Sequence, residues 1–123
     1  MKIAVAGVGY VGLVTAVTLA DIGHDVICLD VDKDKLKILN EGISPIYECG
    51  LEELMSKNRE RLEFTDDVGK YSEAQVIIIG VGTPEKEDGS ADLGAVFAVA
   101  DSIADNCSDG AVVVVKSTVP IGT

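Results

Sequence analysis

The stretch KIAVAGVGYVG, Lys2–Gly12, decides how the rest of the chain is read. Its first half, KIAVA, is a short apolar run of the kind that forms a buried strand. Its second half spells G-x-G-x-x-G with glycines at 7, 9 and 12, and runs on as YVGLVTAVTLADI, a helical stretch that Gly23 stops. A glycine-rich turn between a strand and a helix is a weak sign by its spacing alone. Here the next strand-like run, DVICLD, ends in an acidic residue, Asp30, 18 positions after Gly12. That combination is the dinucleotide-binding fingerprint. Gly7 permits the tight turn, Gly9 lets a pyrophosphate approach the backbone, and Gly12 lets the helix pack close to the strand. The helix start supplies unpaired N–H groups and partial positive charge. A carboxylate at Asp30 accepts hydrogen bonds from ribose hydroxyls and repels a 2′-phosphate, which favours NAD over NADP.

Downstream, strands and helices alternate. Asp32 caps a helix through Asn40 with Leu36 and Leu39 inward. A loop leads to a helix over Leu51–Lys57, then to a brief strand, LEF, from Leu62 to Phe64. Thr65 or Asp66 caps a short helix ending near Ser72. VIIIGV, 76–81, reads as a strand covered on both faces. Asp92 caps a helix with Leu93, Val96, Phe97, Ala100, Ile103 and Ala104 at helical spacing, and AVVVV, 111–115, is the last strand. Strands joined by helical crossovers predict an α/β fold: a Rossmann-type, doubly wound parallel sheet in three layers, of order 3-2-1-4-5 and truncated after the fifth strand. That strand is expected to be an unprotected apolar edge that promotes self-association. In such sheets ligands sit beyond the carboxyl ends of the strands, where Gly7–Gly12, Asp30, Gly82–Thr83 and Ser117–Thr118 all fall. The only histidine, His24, precedes a strand and lies at the opposite end.

Composition narrows the function classes. A length of 123 residues supports one domain, and nearly half of them are hydrophobic, as an ordered core requires. The net charge of −11 excludes a nucleic-acid footprint of clustered Lys and Arg. Cys28, Cys49 and Cys107 are widely spaced and form no CxxC, so neither a metal site nor a disulfide framework is expected, and buried or half-buried thiols in a reducing cytoplasm are. Residues 3–20 carry no charge, but three glycines break the run into a strand and a helix, so no membrane span is expected. Lys33 and Lys35 stand close enough behind Asp30 to reach a ribose or phosphate, or else face solvent as ordinary helix lysines. Thr83, followed by Pro84, sits where a hydroxyl could meet the nicotinamide half of a cofactor.

Four blocks in order, MKIAVAGVGYVGLVTA, SPIYECGLEEL, VGTPEKEDGSADL and KSTVPIGT, resemble the N-terminal part of the UDP-glucose 6-dehydrogenases, within the UDP-glucose/GDP-mannose dehydrogenase family. The resemblance spans the whole chain, with one departure: Cys49 stands where the family usually has proline. It implies that residues 1–123 are the NAD-binding domain of a longer homo-oligomeric enzyme. That enzyme oxidises C6 of UDP-glucose twice, giving UDP-glucuronate with 2 NAD and holding the aldehyde on a cysteine as a thiohemiacetal and then a thioester. Carried onto matching positions, the cofactor contacts are Gly7, Gly9, Tyr10, Val11, Gly12, Asp30, Lys35 and Thr83. Thr118 matches the active-site threonine close to cofactor and reacting water. The family's nucleophilic cysteine and sugar-binding residues follow the STVP motif, so the chain alone is expected to bind NAD without turning over UDP-glucose. Two other readings are a free-standing NAD-binding module and the cofactor domain of another dehydrogenase, acting on UDP-N-acetylmannosamine, GDP-mannose or a β-hydroxyacid.

Overall fold

The computed structural model describes residues 1–123. Strands β1 (Lys2–Ala6), β2 (Asp25–Leu29), β3 (Leu62–Thr65), β4 (Val76–Ile79) and β5 (Val112–Val115) form one sheet in the order β3-β2-β1-β4-β5, every pairing parallel. The helices are α1 (Tyr10–Asp21), α2 (Lys33–Asn40), α3 (Leu51–Lys57) and α4 (Gly94–Asn106). Parallel neighbours cannot be joined by tight turns, so each connection crosses a face of the sheet.

Alternation along the strands divides the core in two. Ile3, Val5, Val26 and Cys28 point to one face, where they pack with Leu13, Ala16, Val17 and Ala20 of α1, Leu39 of α2, and Leu51 and Met55 of α3. Ala4, Ala6, Ile27, Leu29, Ile77 and Ile79 point to the other, against Tyr71, Ala74 and Ile103 of α4. The result is the expected three-layer α/β Rossmann arrangement. Each fully buried Leu or Val in these layers contributes roughly 1.5–3 kcal/mol.

Four local expectations need correction. The strand ending in Asp30 stops at Leu29 and the one reaching Val81 stops at Ile79, which lengthens the loops that carry the candidate residues. The segment after β3 is a 3-10 turn, Val68–Glu73, capped by Asp67, whose carboxylate accepts from the Gly69 N–H at 3.0 Å. Thr65 is spent on the Asp67 N–H instead. Helix α4 begins at Gly94, with Asp92 accepting its N–H at 2.9 Å, and of the predicted stripe only Val96 and Ile103 are buried; Phe97 is 55% exposed. Finally, β4 is sealed on one face only. Ile77 and Ile79 are buried, Val76 and Ile78 half-buried, and all four valines of β5 are between 42% and 57% exposed.

The thiols also sort unevenly: Cys28 is buried, Cys107 half-buried and Cys49 exposed, all of them free. His24 lies at the far end as expected, with its Nδ1 buried and unpartnered. No helix is long and apolar enough to cross a membrane.

Candidate cofactor site

Because all strands run one way, the segments after β1, β2, β4 and β5 gather at one edge of the sheet. The turn after β1 is built on backbone proximity. Gly7 has φ +103°, and a Cβ there would stand 2.9 Å from the Gly80 carbonyl oxygen. A Cβ on Gly12 would lie 1.9 Å from the Gly7 carbonyl oxygen, so the first turn of α1 rests directly on the loop. Nothing lies within 4 Å of a Cβ on Gly9, which faces open space. Helix α1 starts at Gly9 with no side-chain cap and no acidic residue in its first turn. Its leading N–H groups, including those at Tyr10 and Val11, are left for an anion from outside.

Asp30 is bound into this turn. Its carboxylate accepts from the Val8 N–H at 2.9 Å and from the Asp32 N–H at 2.9 Å. The Gly7 N–H donates to the Leu29 carbonyl at 2.8 Å. The glycine turn and the acidic residue thus form one hydrogen-bonded unit, each carboxylate oxygen keeping a lone-pair direction free. Asp32 caps α2 by accepting from Asp34 and Lys35 N–H groups, which orients the first turn of α2 beside Asp30. Lys35 is half-buried and forms no ion pair, whereas Lys33 extends into solvent, 4.0 Å from Asp66.

Two further groups meet across the edge. The Thr83 hydroxyl donates to the Thr118 carbonyl at 2.9 Å. Behind it, buried Ser117 anchors the loop after β5, its hydroxyl donating to the Val81 carbonyl at 2.6 Å. On the outer side of the glycine turn, Tyr10 donates from its hydroxyl to Glu48 at 2.6 Å, strapping the 43–50 loop over the start of α1; that bond, first, and the Glu48 charge, second, hold the phenol above its ordinary range.

Sequence reasoning missed a slot of about 200 Å³ beside Asp30, on the α4 side of the sheet. Val31, Val68, Tyr71, Ala95, Ala98 and Val99 give it mainly apolar walls, and Asp30 and Asp66 also line it. Its mainly apolar walls suit an aromatic base, and its position beside Asp30 suits a base whose ribose would meet that carboxylate. The five stretches of chain that line it are distant from one another in sequence. The apolar stripe read along this helix, Leu93, Val96, Phe97, Ala100, Ile103 and Ala104, includes none of the slot's α4 residues Ala95, Ala98, Val99 and Ser102.

The residues present fit a dinucleotide: a cradle that a side chain would fill, an open glycine, a pre-oriented carboxylate and an apolar slot in sequence along one edge. Comparison with known proteins agrees. The model of the UDP-glucose/GDP-mannose dehydrogenase family, NAD binding domain, matches residues 1–123. The UDP-glucose 6-dehydrogenase YwqF of Bacillus subtilis is 51% identical over 126 residues, covering 100% of this chain and 29% of that protein. A crystal structure of GDP-mannose dehydrogenase from Pseudomonas aeruginosa, a ternary complex, superposes with a TM-score of 0.93 at 42% identity, over 100% of this chain and 30% of that one. A UDP-glucose dehydrogenase from Pyrobaculum islandicum gives 0.90 at 39% identity, over 99% and 30%. The chain therefore spans under a third of the length of these relatives. It belongs to the UDP-glucose/GDP-mannose dehydrogenase family, as that family's NAD-binding domain.

Proposed function

We propose that residues 1–123 form the cofactor domain of a UDP-glucose 6-dehydrogenase and hold NAD along the carboxyl edge of the sheet. The observation that carries this reading is the Val8–Asp30 hydrogen bond of 2.9 Å. It ties the glycine turn, which this reading gives to the pyrophosphate, to the carboxylate that it gives to the ribose. In this reading the α1 N-terminus at Gly9, Tyr10 and Val11 meets the pyrophosphate, and Gly7 and Gly12 shape the turn. Asp30 takes the adenosine ribose hydroxyls, Lys35 lies within reach of the same region, and the slot takes the adenine. Thr83 and Thr118 flank the nicotinamide end. When bound, NAD supplies the hydride acceptor for oxidation at C6 of the sugar.

This chain's own part in that reaction is to bind and orient. The Thr118 side chain, next to the Thr83 contact, can donate and accept, and is placed to order a water. Two of the cysteines are poorly suited to catalysis, and the third, Cys49, lies in the 43–50 loop rather than in a segment that follows a strand. Cys28 is fully buried, and burial pushes its thiol far up; Cys107 closes α4 at the opposite edge of the sheet. We therefore assign the nucleophile and the UDP-glucose contacts to other parts of a longer, cytoplasmic, homo-oligomeric enzyme. The 123-residue chain alone then binds NAD but releases no NADH from UDP-glucose. Calorimetry with NAD and NADP tests the assignment: tighter binding of NAD is expected, and a preference for NADP overturns the role of Asp30. NADH formation from UDP-glucose by the chain alone would overturn the division of labour.

A second sugar class has its own support. The superposition on GDP-mannose dehydrogenase is as close as that on the UDP-glucose enzyme. Assay of the longer protein with UDP-glucose, GDP-mannose and UDP-N-acetylmannosamine separates the two, with UDP-glucose expected to give the highest kcat/KM.

A further inference from the structure

The 3-10 turn Val68–Glu73 inserts Tyr71 into the floor of the slot beside Asp30. Tyr71 is only 3% exposed, and its ring packs in the cluster that holds Ala4, Ala6, Ile27 and Ile79. Buried tyrosine hydroxyls ordinarily find a hydrogen-bond partner. This one has none within the chain: burial first and the Asp30 charge second push the phenol up to about 12, with no hydrogen bond contributing. Asp30 is not its partner: it acts on the phenol through its charge alone, with no hydrogen bond between them, and its carboxylate accepts instead from the Val8 and Asp32 N–H groups. The hydroxyl is not sealed off either, since His24 Nδ1 is the only buried side-chain polar atom cut off from both solvent and partner. Tyr71 therefore keeps a protonated donor at the surface of a mainly apolar slot.

What would satisfy it follows from the slot's chemistry. Asp30 at the mouth matches ribose hydroxyls, so the walls beyond it face the attached base. Adenine presents ring nitrogens that accept hydrogen bonds at its edge. We propose that the Tyr71 hydroxyl donates to a ring nitrogen of the bound adenine, which makes Tyr71 a positioning and base-selecting residue of the cofactor site. The proposal rests on the NAD reading given above.

Titration of AMP and its 1-deaza, 3-deaza and 7-deaza analogues into the protein and its Tyr71→Phe variant tests it. Phenylalanine keeps the ring in the core and removes only a hydroxyl that touches no protein group, so the melting temperature should hold. The variant is expected to bind AMP about fivefold more weakly, the usual worth of one neutral hydrogen bond. For the one analogue that lacks the contacted nitrogen, the two proteins should bind equally, and nicotinamide mononucleotide should not distinguish them. Equal AMP affinity, or the same loss with all three analogues, overturns the proposal while leaving the cofactor reading intact. If the unaltered protein binds neither AMP nor NAD, the cofactor reading falls and this role falls with it.

Discussion

The Thr83 hydroxyl donates to the Thr118 carbonyl at 2.9 Å, tying the loop after β4 to the loop after β5. The contact uses the side chain of one threonine and the backbone of the other, so the two substitutions separate. Thr83→Val removes a partly exposed neutral hydrogen bond, at a cost of about 1 kcal/mol or less. It should lower the melting temperature slightly and weaken NAD binding by loosening the nicotinamide end. Thr118→Val leaves the carbonyl in place and should not change stability. In the longer dehydrogenase its effect is expected on kcat, read by steady-state kinetics.

Two glycines of the same motif should fail in different ways. Gly12→Ala forces a methyl group to within 1.9 Å of the Gly7 carbonyl oxygen, a backbone atom that cannot swing aside. Overpacking of that kind costs about 3 kcal/mol, and the loss should appear in denaturant unfolding and in NAD titration together. Gly9 has φ −74° and open space around its Cβ. Gly9→Ala should change stability by less than about 1 kcal/mol yet weaken NAD binding, because the methyl group occupies the pyrophosphate's approach. A stable Gly12→Ala variant would contradict the packing argument.

Asp30 ties the glycine turn to the start of α2, and in the NAD reading it also sets cofactor specificity. Asp30→Asn replaces one acceptor oxygen with a donor and sets it against the N–H of Val8 or Asp32. Losing a hydrogen bond to a charged acceptor costs about 1.5–3 kcal/mol. Removing the charge should also narrow the preference for NAD over NADP by about tenfold, the equivalent of about 1.4 kcal/mol. The ratio of the two dissociation constants measures this independently of stability. Asp66, on the same slot, keeps some repulsion of a 2′-phosphate, so the preference should narrow without inverting.

Local signals explain what the sequence disclosed about this edge. The glycine turn, Asp30 and the Asp32 cap are each specified by residues within a few positions of one another; the crossovers implied a parallel sheet, and the strand order is that of the doubly wound fold the fingerprint belongs to. The slot beside Asp30 was invisible because Val31, Tyr71 and Ala98 meet only after the sheet has formed. Asp67 displaced Thr65 and Asp66 as the cap because Thr65 had already been taken by the Asp67 N–H. Phe97 matched the helical stripe in spacing, but the core beneath α4 extends only as far as Val96, Val99 and Ile103. Periodicity shows which face is apolar, not whether anything covers it.

An ion-pair chain beneath Tyr71 gives the fold a pH dependence. Glu73 accepts from Lys2 at 3.2 Å and pairs with Lys70 at 3.2 Å, and Lys70 also reaches Glu63 at 3.3 Å. Hydrogen bonds from Lys2 and then Lys70 hold the Glu73 carboxyl below its ordinary 4.5. A carboxyl depressed by folding stabilises fully above its unfolded value, and that contribution is lost as pH falls through the folded one. Glu73, first, and Glu63, second, hold the Lys70 ammonium above its ordinary 10.5, so its contribution is present below 10.5 and is lost as pH rises through the raised value. Melting temperature should therefore fall below pH 4.5 and again above pH 10.5. Lys70→Met should flatten both limbs, and unchanged limbs would count against the chain.

The bare edge of the sheet predicts how the 123-residue chain behaves in solution. Val112–Val115 pair with β4 on one side only, and Val112 and Val114 lie on the side opposite α4, where no helix covers them. A strand with free N–H and C=O groups and apolar side chains is a template for another strand. Static light scattering should show mass rising with concentration. Val114→Lys should suppress that rise, because the added charge points into solvent from a position already 42% exposed and strands resist pairing when an edge carries lysine. Circular dichroism should be unchanged, since Val114 contributes to neither core. A wild-type chain that stays monomeric at millimolar concentration would mean that the edge is protected by its own loops. Persistent association of Val114→Lys would move the contact to another exposed apolar side chain, such as Phe97 on α4 or Ile121 after β5.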